Sequence, residues 1–256
     1  MKIIKSLNNE KIKELKKQKA NDKSLLFLDS PKLGEEAFNS GIKPYHILID
    51  ENKFLNLKKE FDFINKLDEN FIILVDEKII KIFSDVITSQ GFVGIFKSKN
   101  CTLKKPKKNF LVLDNVQDAG NVGTLIRTAL GAGFNDVYLL DCASVTNIKT
   151  IRSSMGAVFK LNVYETTMQN FIDFAKSIPQ TLYGTDMKGE NIYNFNFTLP
   201  CGVALGNEGK GIRVGMRKIL HNTISIPIEP KLESLNVAVA GGIIMFEINK
   251  RGEANF

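Results

Sequence analysis

The sequence has few of the residues from which metal and covalent sites are usually built. Its two histidines, His46 and His221, lie outside any HExxH-type pattern, so we expect both to be structural. Its three cysteines, Cys101, Cys142 and Cys201, are odd in number and far apart, which fits neither a disulfide framework nor the paired spacing of a zinc site. We therefore expect reduced, buried thiols and no metal.

Long hydrophobic runs are also missing. The longest apolar stretches, residues 71–75 and 243–246, fall far short of the roughly 18 to 20 residues that cross a bilayer. The first residues are rich in lysine and lack the apolar segment of a secretory signal. With 43% hydrophobic and 25% charged residues, the 256-residue chain has the composition of a globular protein with one large or two modest domains. These features predict a cytoplasmic protein without a membrane span.

Positive charge is in excess, with 35 Lys and Arg against 28 Asp and Glu, and it is unevenly distributed. Residues 2–23 contain eight lysines and three acids, and residues 96–109 contain six lysines and no acid. Such stripes favour polyanions such as RNA, because binding releases counterions. A solvated helix face and a solvated linker would give the same pattern, and both interpretations remain open. The candidate RNA-binding residues are Lys104, Lys105, Lys107 and Lys108.

The lysine-rich segment, residues 101–108, also contains a proline and separates two patterned regions, so we predict domains at 1–100 and 109–256 with a linker between them. The first region predicts a compact α/β domain. Its expected strands are 24–29, 45–50, 71–76 and 91–97, and its expected helices are 11–19, 32–38, 54–67 and 78–85.

The second region contains stronger apolar runs, separated by segments of helix length. Their composition is typical of buried parallel strands covered by helices. The expected strands are 110–114, 136–140, 181–185, 202–206 and 223–228.

Several enzyme classes are disfavoured by their missing signatures. The segment Gly206 to Gly211 lacks the spacing of a P-loop, and Gly131-Ala132-Gly133 lacks the third glycine of a dinucleotide-binding turn. There is no GxSxG elbow and no paired cysteine and histidine. An NTPase, a Rossmann dehydrogenase and covalent catalysis are therefore not supported.

The first unusual junction between a strand and a helix is residues 110–134. We expect the helix to begin near Asn121, a residue type that caps helices well. At 100° per residue, Arg127 lies opposite the apolar face and so points away from the core of its own domain. An isolated arginine on such a face is more often solvated than functional. The expected apolar face comprises Val122, Leu125, Ile126, Ala129 and Gly133.

Two further junctions follow. In residues 201–212, a strand runs into glycines that would permit close backbone approach to a ligand or form a plain surface turn. In residues 224–251, a strand ends in a proline-containing loop, and Ser234 or Asn236 can cap a long helix. Gly241 and Gly242 give that helix a small-residue surface, which either a neighbouring helix or a second subunit could fill.

Three motifs stand in these junctions: Asn121-x-Gly123-x-x-x-Arg127, then Gly206-Asn207-Glu208-Gly209, then Ile226-Pro227 with Ser234-Leu235-Asn236-Val237. In this order and spacing, and with the sequence RSSMGA at 152–157 between the first two, they closely resemble the motifs of the SpoU/TrmH family of RNA ribose 2′-O-methyltransferases, within the SPOUT superfamily. The resemblance is strong over residues 109–251 and weaker before them, where the chain resembles the family's small substrate-binding domain.

The resemblance implies a small N-terminal α/β RNA-binding domain, followed by a C-terminal α/β domain with a parallel sheet and a trefoil knot. It also implies an S-adenosylmethionine site in the knot and an obligate homodimer. The implied catalytic residues are Asn121, Arg127, Glu208, Ser234 and Asn236. The implied cofactor-binding residues are Leu205, Gly206, Asn207, Gly209, Ile226, Pro227, Leu235 and Asn236.

The activity that the resemblance implies is methylation of a ribose 2′-hydroxyl in structured RNA. Ribosomal RNA is preferred because a separate domain precedes the catalytic one; transfer RNA and a non-catalytic RNA-binding or ribosome-assembly role are the alternatives. Arg127 would act either as a base or as a cationic donor, and the second is simpler because arginine is protonated in water. The chain departs from the family at Ala119, where proline is common, and at Leu28-Asp29-Ser30-Pro31, where an acidic-glycine turn is expected.

Overall fold

The computed structural model describes residues 2–22, 24–86, 88–98 and 101–253, and it divides the chain into two compact units, 1–100 and 101–256. The lysine-rich segment belongs to the second unit. The Tyr138 hydroxyl donates a hydrogen bond to the Lys104 carbonyl (2.6 Å), and the Gln180 side chain donates to the Pro106 carbonyl (2.8 Å). The lysine-rich segment is therefore anchored to that unit and is not a free tether.

The first unit contains a five-stranded sheet in the order β1-β4-β3-β5-β2, in which β5 runs antiparallel to β3 and β2. All four residues of β4 and the last four of β3 are buried, so both faces of the sheet are covered there, as expected for central strands. The elements are β1 (Lys2–Ile4), α1 (Glu10–Asn21), β2 (Leu25–Leu28), α2 (Pro31–Asn39), β3 (Pro44–Asp50), α3 (Phe54–Glu60), α4 (Phe63–Lys66), a 3₁₀ turn (Glu69–Phe71), β4 (Ile72–Val75), α5 (Glu77–Phe83) and β5 (Phe92–Lys97).

The four strands predicted for this unit are confirmed, and two details of the prediction are wrong. The helix expected over 54–67 is interrupted at Phe61, whose backbone is extended, and each half buries its own apolar residues. The edge strand β1 was not predicted, since three residues are too few to show an alternating pattern. The divergent turn at Leu28–Pro31 is held by Asp29, whose buried carboxylate accepts hydrogen bonds from the Ser84 hydroxyl and the Asp85 amide.

The second unit contains a six-stranded, entirely parallel sheet in the order β11-β9-β10-β6-β7-β8. Its elements are β6 (Phe110–Asp114), α6 (Ala119–Gly131), β7 (Asp136–Leu140), α7 (Ile148–Ser154), α8 (Ala157–Lys160), β8 (Asn162–Thr166), α9 (Met168–Ala175), β9 (Thr181–Asn191), β10 (Cys201–Gly206), α10 (Val214–Arg217), β11 (Asn222–Ser225) and α11 (Val237–Glu253).

This sheet is buried on both faces, which confirms the prediction of covered parallel strands. Leu111 and Leu113 of β6 pack with α6 and α11, whereas Phe110 and Val112 pack with α9 and α10 on the other face. The predicted strand 223–228 is shorter, since it ends at Ser225. The edge strand β8 was not predicted because Tyr164 is its only buried residue and the other four residues show no regular alternation.

Most of the cysteines and histidines are buried or hydrogen-bonded within the fold. Burial raises the pKa of the Cys201 thiol to about 12, and Cys142 is half-buried. The expectation of a buried thiol is wrong for Cys101, which is exposed in the lysine-rich segment. The His221 ring accepts a hydrogen bond from the Leu182 amide (3.1 Å), and burial lowers the pKa of His46.

Within residues 2–22, 24–86, 88–98 and 101–253, no group of three or more His, Cys, Asp or Glu side chains is placed to hold a metal ion. No helix in the described part of the chain combines the length and apolar character needed to cross a membrane.

Candidate active site at the carboxyl edge of the parallel sheet

Three neighbouring strands end side by side at one edge of the second sheet. Asp114, the last residue of β6, is in register with Gly206 of β10 and with Leu140 of β7. The loops that follow these strands therefore meet at this edge. Ligands of open parallel sheets bind outside the carboxyl ends of the strands, so this is where a site is expected.

The first motif begins at a helix cap, which is Asp118 rather than the predicted Asn121. The Asp118 carboxylate accepts a hydrogen bond from the Asn121 amide (2.9 Å) and lies 2.7 Å from the Lys149 ammonium group. The prediction was wrong because Asp and Asn cap helices equally well, and the helix begins at Ala119. Asn121 consequently lies in the first turn of α6, with its side chain available for other contacts.

Asn121 links all three motifs through side-chain hydrogen bonds. Its amide nitrogen donates to the Glu208 carboxylate (3.1 Å), and its carbonyl oxygen accepts from the Asn236 side chain (3.2 Å). These bonds join residues 87 and 115 positions apart in the chain. The structure therefore brings three of the five predicted catalytic residues into one network.

Asn207 organises the loop of the second motif. Its side-chain oxygen accepts hydrogen bonds from the Gly209 and Lys210 amides (both 3.1 Å), and its side-chain nitrogen donates to the Asn115 carbonyl (2.9 Å). The same nitrogen lies 3.3 Å from the Glu208 carboxylate. Asn207 therefore shapes the loop from within and orients Glu208.

Glu208 is held as a carboxylate. Desolvation alone would raise the pKa of Glu208, but hydrogen bonds from the Asn121 side chain and from backbone amides, including that of Asp118, outweigh it and lower the pKa. An anion that accepts this many hydrogen bonds is a poor base near neutral pH. The geometry makes Glu208 an acceptor that fixes its neighbours.

The ionisation of Glu208 gives a testable pH dependence. Because the folded state lowers its pKa, the contribution of the carboxylate is present above its unfolded pKa and is lost only as the pH falls through the lower folded value. We expect the activity ratio of the natural protein to Glu208→Gln to stay constant between about pH 6 and pH 9. Parallel pH–rate profiles measure this ratio, and a ratio that changes with pH in this range would show that the carboxylate titrates during catalysis.

Asn236 caps α11, which confirms one of the two capping residues predicted from the sequence. Its side-chain oxygen accepts hydrogen bonds from the Ala238 amide (2.9 Å) and the Val239 amide (3.3 Å). One side chain thus fixes the start of a helix while its nitrogen reaches Asn121. Ser234 is exposed, and the described structure shows no hydrogen bond from it.

The small-residue surface of α11 is filled by the chain itself. A Cβ atom at Gly241 would overlap the side chain of Leu125 on α6 and approach Leu205 of β10 to 2.6 Å. Of the two possibilities left open by the sequence, a neighbouring helix is therefore what packs there. The exposed large apolar residues of the described part of α11 lie elsewhere, at Val239 and Phe246.

Arg127 lies on the exposed face of α6, as predicted from the helical period. Val122, Leu125, Ile126 and Ala129 are fully buried, whereas the expected fifth member, Gly133, lies beyond the helix and is exposed. In the described structure Arg127 forms no hydrogen bond or ion pair, and it lies outside the network around Asn121. Its guanidinium group is therefore available to a ligand.

The predicted cofactor-binding residues lie at the end of β10 and in the segments that follow β10 and β11. Leu205 and Gly206 are buried at the end of β10, Asn207 and Gly209 lie in the following loop, and Ile226, Pro227 and Leu235 lie in the segment between β11 and α11. Gly206 has no room for a side chain, because a Cβ atom would overlap the backbone of Gly211 and Ile212. This glycine is therefore required by the folding of the loop.

Gly123 of the first motif has a comparable packing role. A Cβ atom there would overlap the Thr150 carbonyl oxygen and approach the Ser153 Cβ atom to 2.6 Å, so the glycine lets α6 and α7 approach closely. This contact sets the position of α7, which carries Lys149 beside the Asp118 cap.

Sequence reasoning missed five polar residues at this edge. Asp118 had a usable signal, since an acidic residue precedes the helix by one position. Lys149 and the ion-paired group of Asp114, Asp141 and Arg213 had no signal, because their partners are far apart in the chain.

The similarities of this chain to known proteins agree with the family resemblance of the three motifs. The model of the SpoU rRNA Methylase family matches residues 108–246. The 23S rRNA (guanosine(2553)-2′-O)-methyltransferase RlmP of Bacillus subtilis is 30% identical over 255 residues, which covers 97% of this chain and 99% of that protein.

Solved structures resemble the whole chain. An AdoMet-bound rRNA methyltransferase from Sinorhizobium meliloti aligns with a TM-score of 0.83 at 24% identity, covering 98% of both chains. A TrmH-family RNA methyltransferase, described as putative, from Porphyromonas gingivalis aligns with a TM-score of 0.83 at 25% identity, covering 96% of this chain and 99% of that chain.

Proposed function

This chain belongs to the SpoU rRNA methylase family, and we propose that it transfers the methyl group of S-adenosylmethionine to a ribose 2′-hydroxyl of ribosomal RNA. The observation that carries the proposal is the hydrogen-bonded network of Asn121, Glu208 and Asn236, since it assembles the three motifs at the edge of the sheet where a ligand is expected. The full-length similarity to a methyltransferase of 23S rRNA supports the choice of substrate.

The residues at this edge fit S-adenosylmethionine. The half-buried side chains of Ile226 and Leu235 provide apolar surface, and the carbonyl of the exposed Gly209 accepts no hydrogen bond within the described residues. Backbone amides and carbonyls can match the edge of adenine, and apolar side chains suit its faces. Leu205, Gly206, Asn207, Pro227 and Asn236 complete the proposed cofactor site. When bound, the cofactor supplies an electrophilic methyl group on a sulfonium.

The side chains of the network position the reacting ribose. Glu208 fixes Asn121, and Asn236 supports Asn121 from the other side, so Asn121 is oriented before the substrate arrives. Such preorganisation lowers the barrier because less freedom is lost during reaction. Ser234 completes the proposed catalytic set from the neighbouring loop.

Arg127 is the proposed cationic donor. Its exposed guanidinium group can hold an RNA phosphate and stabilise the negative charge that develops on the 2′-oxygen. A role as base would require arginine to lose a proton that it retains in water, so the electrostatic role is the simpler one.

The experiment that tests this function is a methylation assay on RNA from cells that lack the protein. We expect purified protein to transfer labelled methyl groups from S-adenosylmethionine to 23S rRNA, and a ribose-methylated position to become resistant to alkaline cleavage. Transfer only to tRNA would favour the tRNA alternative. Calorimetry of S-adenosylmethionine binding without RNA tests the non-catalytic alternative. An RNA-binding protein that retains only the fold need not bind the cofactor.

The lysine-rich segment is the proposed RNA-binding surface of the second unit. Lys104, Lys105, Lys107 and Lys108 are all exposed. Replacing all four with alanine is expected to make RNA affinity less dependent on salt, because each phosphate contact releases counterions, while cofactor affinity stays the same. Titrations at several salt concentrations give the slope. An unchanged slope would mean that these lysines are only solvated.

We also propose that the protein is a homodimer, built on the exposed apolar residues of α6 and α11. Leu130, Val239 and Phe246 are 38%, 52% and 52% exposed, and a Cβ atom at Gly131 would lie 3.8 Å from the Phe246 ring, so the two helices present one surface. Leu130 is one turn from Arg127 on α6. A second copy that covers this surface would therefore lie beside Arg127.

Sedimentation measures this assembly. We expect twice 28.6 kDa for the natural protein, and Phe246→Lys is expected to give monomers, because it places a charge in an apolar interface. A fully active monomer of the natural protein at assay concentration would contradict the proposal. We also propose that the C-terminal segment is threaded into a trefoil knot and that the protein is cytoplasmic.

A further inference from the structure

Arg213 occupies a position that arginine rarely favours. It is the residue that precedes α10, where Ser, Thr, Asn or Asp would cap the helix. Its side chain forms no capping hydrogen bond. The guanidinium group instead turns back toward the ends of the central strands.

There it binds two carboxylates and a carbonyl. The Arg213 backbone amide donates to Asp114 Oδ2 (2.7 Å), and its Nε donates to Asp114 Oδ1. Its remaining nitrogens reach Asp141 Oδ2 (2.9 Å) and the Leu140 carbonyl (3.3 Å). Asp114 is fully buried, so this arginine is the charge that compensates it. Burial alone would lower the pKa of Arg213, but the hydrogen bonds to Asp141 and Asp114 raise it.

These bonds attach both ends of the loop 207–212 to one residue, Asp114. Gly206, where the loop begins, is in register with Asp114, and Arg213, where the loop ends, binds the Asp114 side chain. Within the loop, Asn207 and Gly211 exchange backbone hydrogen bonds of 3.1 and 2.9 Å. Both ends of residues 207–212 are therefore fixed to the same point of β6.

Glu208 projects from this closed loop to the Asn121 side chain and the Asp118 amide. We propose that Arg213 is a positioning residue for methyl transfer: by holding residues 207–212 closed on Asp114, it sets the place of the Glu208 carboxylate and, through it, Asn121. This proposal rests on the proposed function of the same site. Arg213 itself contacts neither motif residue.

The test compares Arg213→Ser and Arg213→Lys with the natural protein. Serine restores a capping residue to α10 and removes the charge, whereas lysine keeps a charge but lacks the fork that engages several acceptors at once. We expect kcat per bound cofactor to fall about 10- to 100-fold in Arg213→Ser, since small misplacements at a reacting centre have effects of this size, with the KM for RNA nearly unchanged. Arg213→Lys should recover part of the loss.

Two further measurements separate positioning from a general loss of stability. If Arg213 acts through Glu208, the double variant Arg213→Ser with Glu208→Ala should be no slower than Glu208→Ala alone. Tyr164→Phe is the control, because it removes a buried hydrogen bond to Asp136 at the opposite edge of the same sheet, and its kcat per bound cofactor should equal that of the natural protein. Additive effects of Arg213→Ser and Glu208→Ala would overturn the proposal.

Hydrogen exchange over residues 205–213 follows the loop without RNA. Faster exchange is expected in Arg213→Ser and not in Tyr164→Phe, because only the first variant opens the loop. Unchanged exchange would overturn the proposal; if Arg213→Ser does not fold, Arg213→Lys gives the same comparison. A natural protein that does not methylate RNA, combined with faster exchange in the variant, would contradict the proposed function while leaving the loop-closing role in place.

Discussion

Arg127→Ala is expected to fold, to bind S-adenosylmethionine normally and to transfer methyl groups about a hundred- to a thousandfold more slowly. The fold should persist because Arg127 is exposed and forms no hydrogen bond or ion pair within the described residues. The rate should fall because the variant lacks the proposed donor to the developing negative charge. Single-turnover transfer to 23S rRNA and calorimetry of cofactor binding measure the two properties separately.

A control on the same helix face sharpens this test. Thr124 is exposed one turn before Arg127, and Thr124→Ala should retain activity within about threefold, as expected of a surface substitution. Asn236→Ala should instead weaken cofactor binding and reduce stability, because Asn236 caps α11 and supports Asn121. Near-normal turnover by folded Arg127→Ala would contradict the proposed role of the arginine.

Gly123→Ala is expected to lower the free energy of unfolding by about 1 to 3 kcal/mol, the range for added atoms in a closely packed contact. Alanine favours a helix over glycine by about 1 kcal/mol, so propensity alone predicts the opposite sign. Overlap decides the outcome, because the new methyl group would meet the backbone of α7 at Thr150, which cannot rotate away. Urea unfolding at a fixed protein concentration measures the change.

Gly242→Ala supplies the matched control. Gly242 also lies within a helix, but a Cβ atom there would approach nothing closer than the Thr128 methyl group at 3.6 Å, an ordinary contact. We expect this substitution to stabilise the protein by up to about 1 kcal/mol. Equal effects of the two substitutions would show that the close approach of α6 and α7 does not decide the stability.

Local patterns predicted local structure well. The period of α6 placed Arg127 outside and four apolar residues inside, and the apolar runs located most central strands of both sheets. Errors arose where two residues were equally suitable as helix caps, or where a strand was too short to show an alternating pattern. Asp118 caps α6 in place of Asn121, and the three-residue β1 and the edge strand β8 lacked a distinct pattern.

The candidate site was predicted as a set of residues and could not be predicted as an arrangement. The motifs named Asn121, Glu208 and Asn236, but their mutual hydrogen bonds depend on the order of strands in the sheet. Likewise, only the structure shows that Gly241 packs against α6 and that Phe246 of α11 is exposed.

The sequence by itself determined the helical and strand periods, the excess of positive charge and the family to which the motifs belong, because these depend on residues near each other or on residue type alone. The tertiary structure decided which distant residues meet. Asp114 and Arg213 are 99 positions apart, and nothing in the chain between them marks them as partners. They meet because β6 and β10 are neighbours in the sheet, and a buried carboxylate at the end of one strand requires a charged donor from the loop after the other.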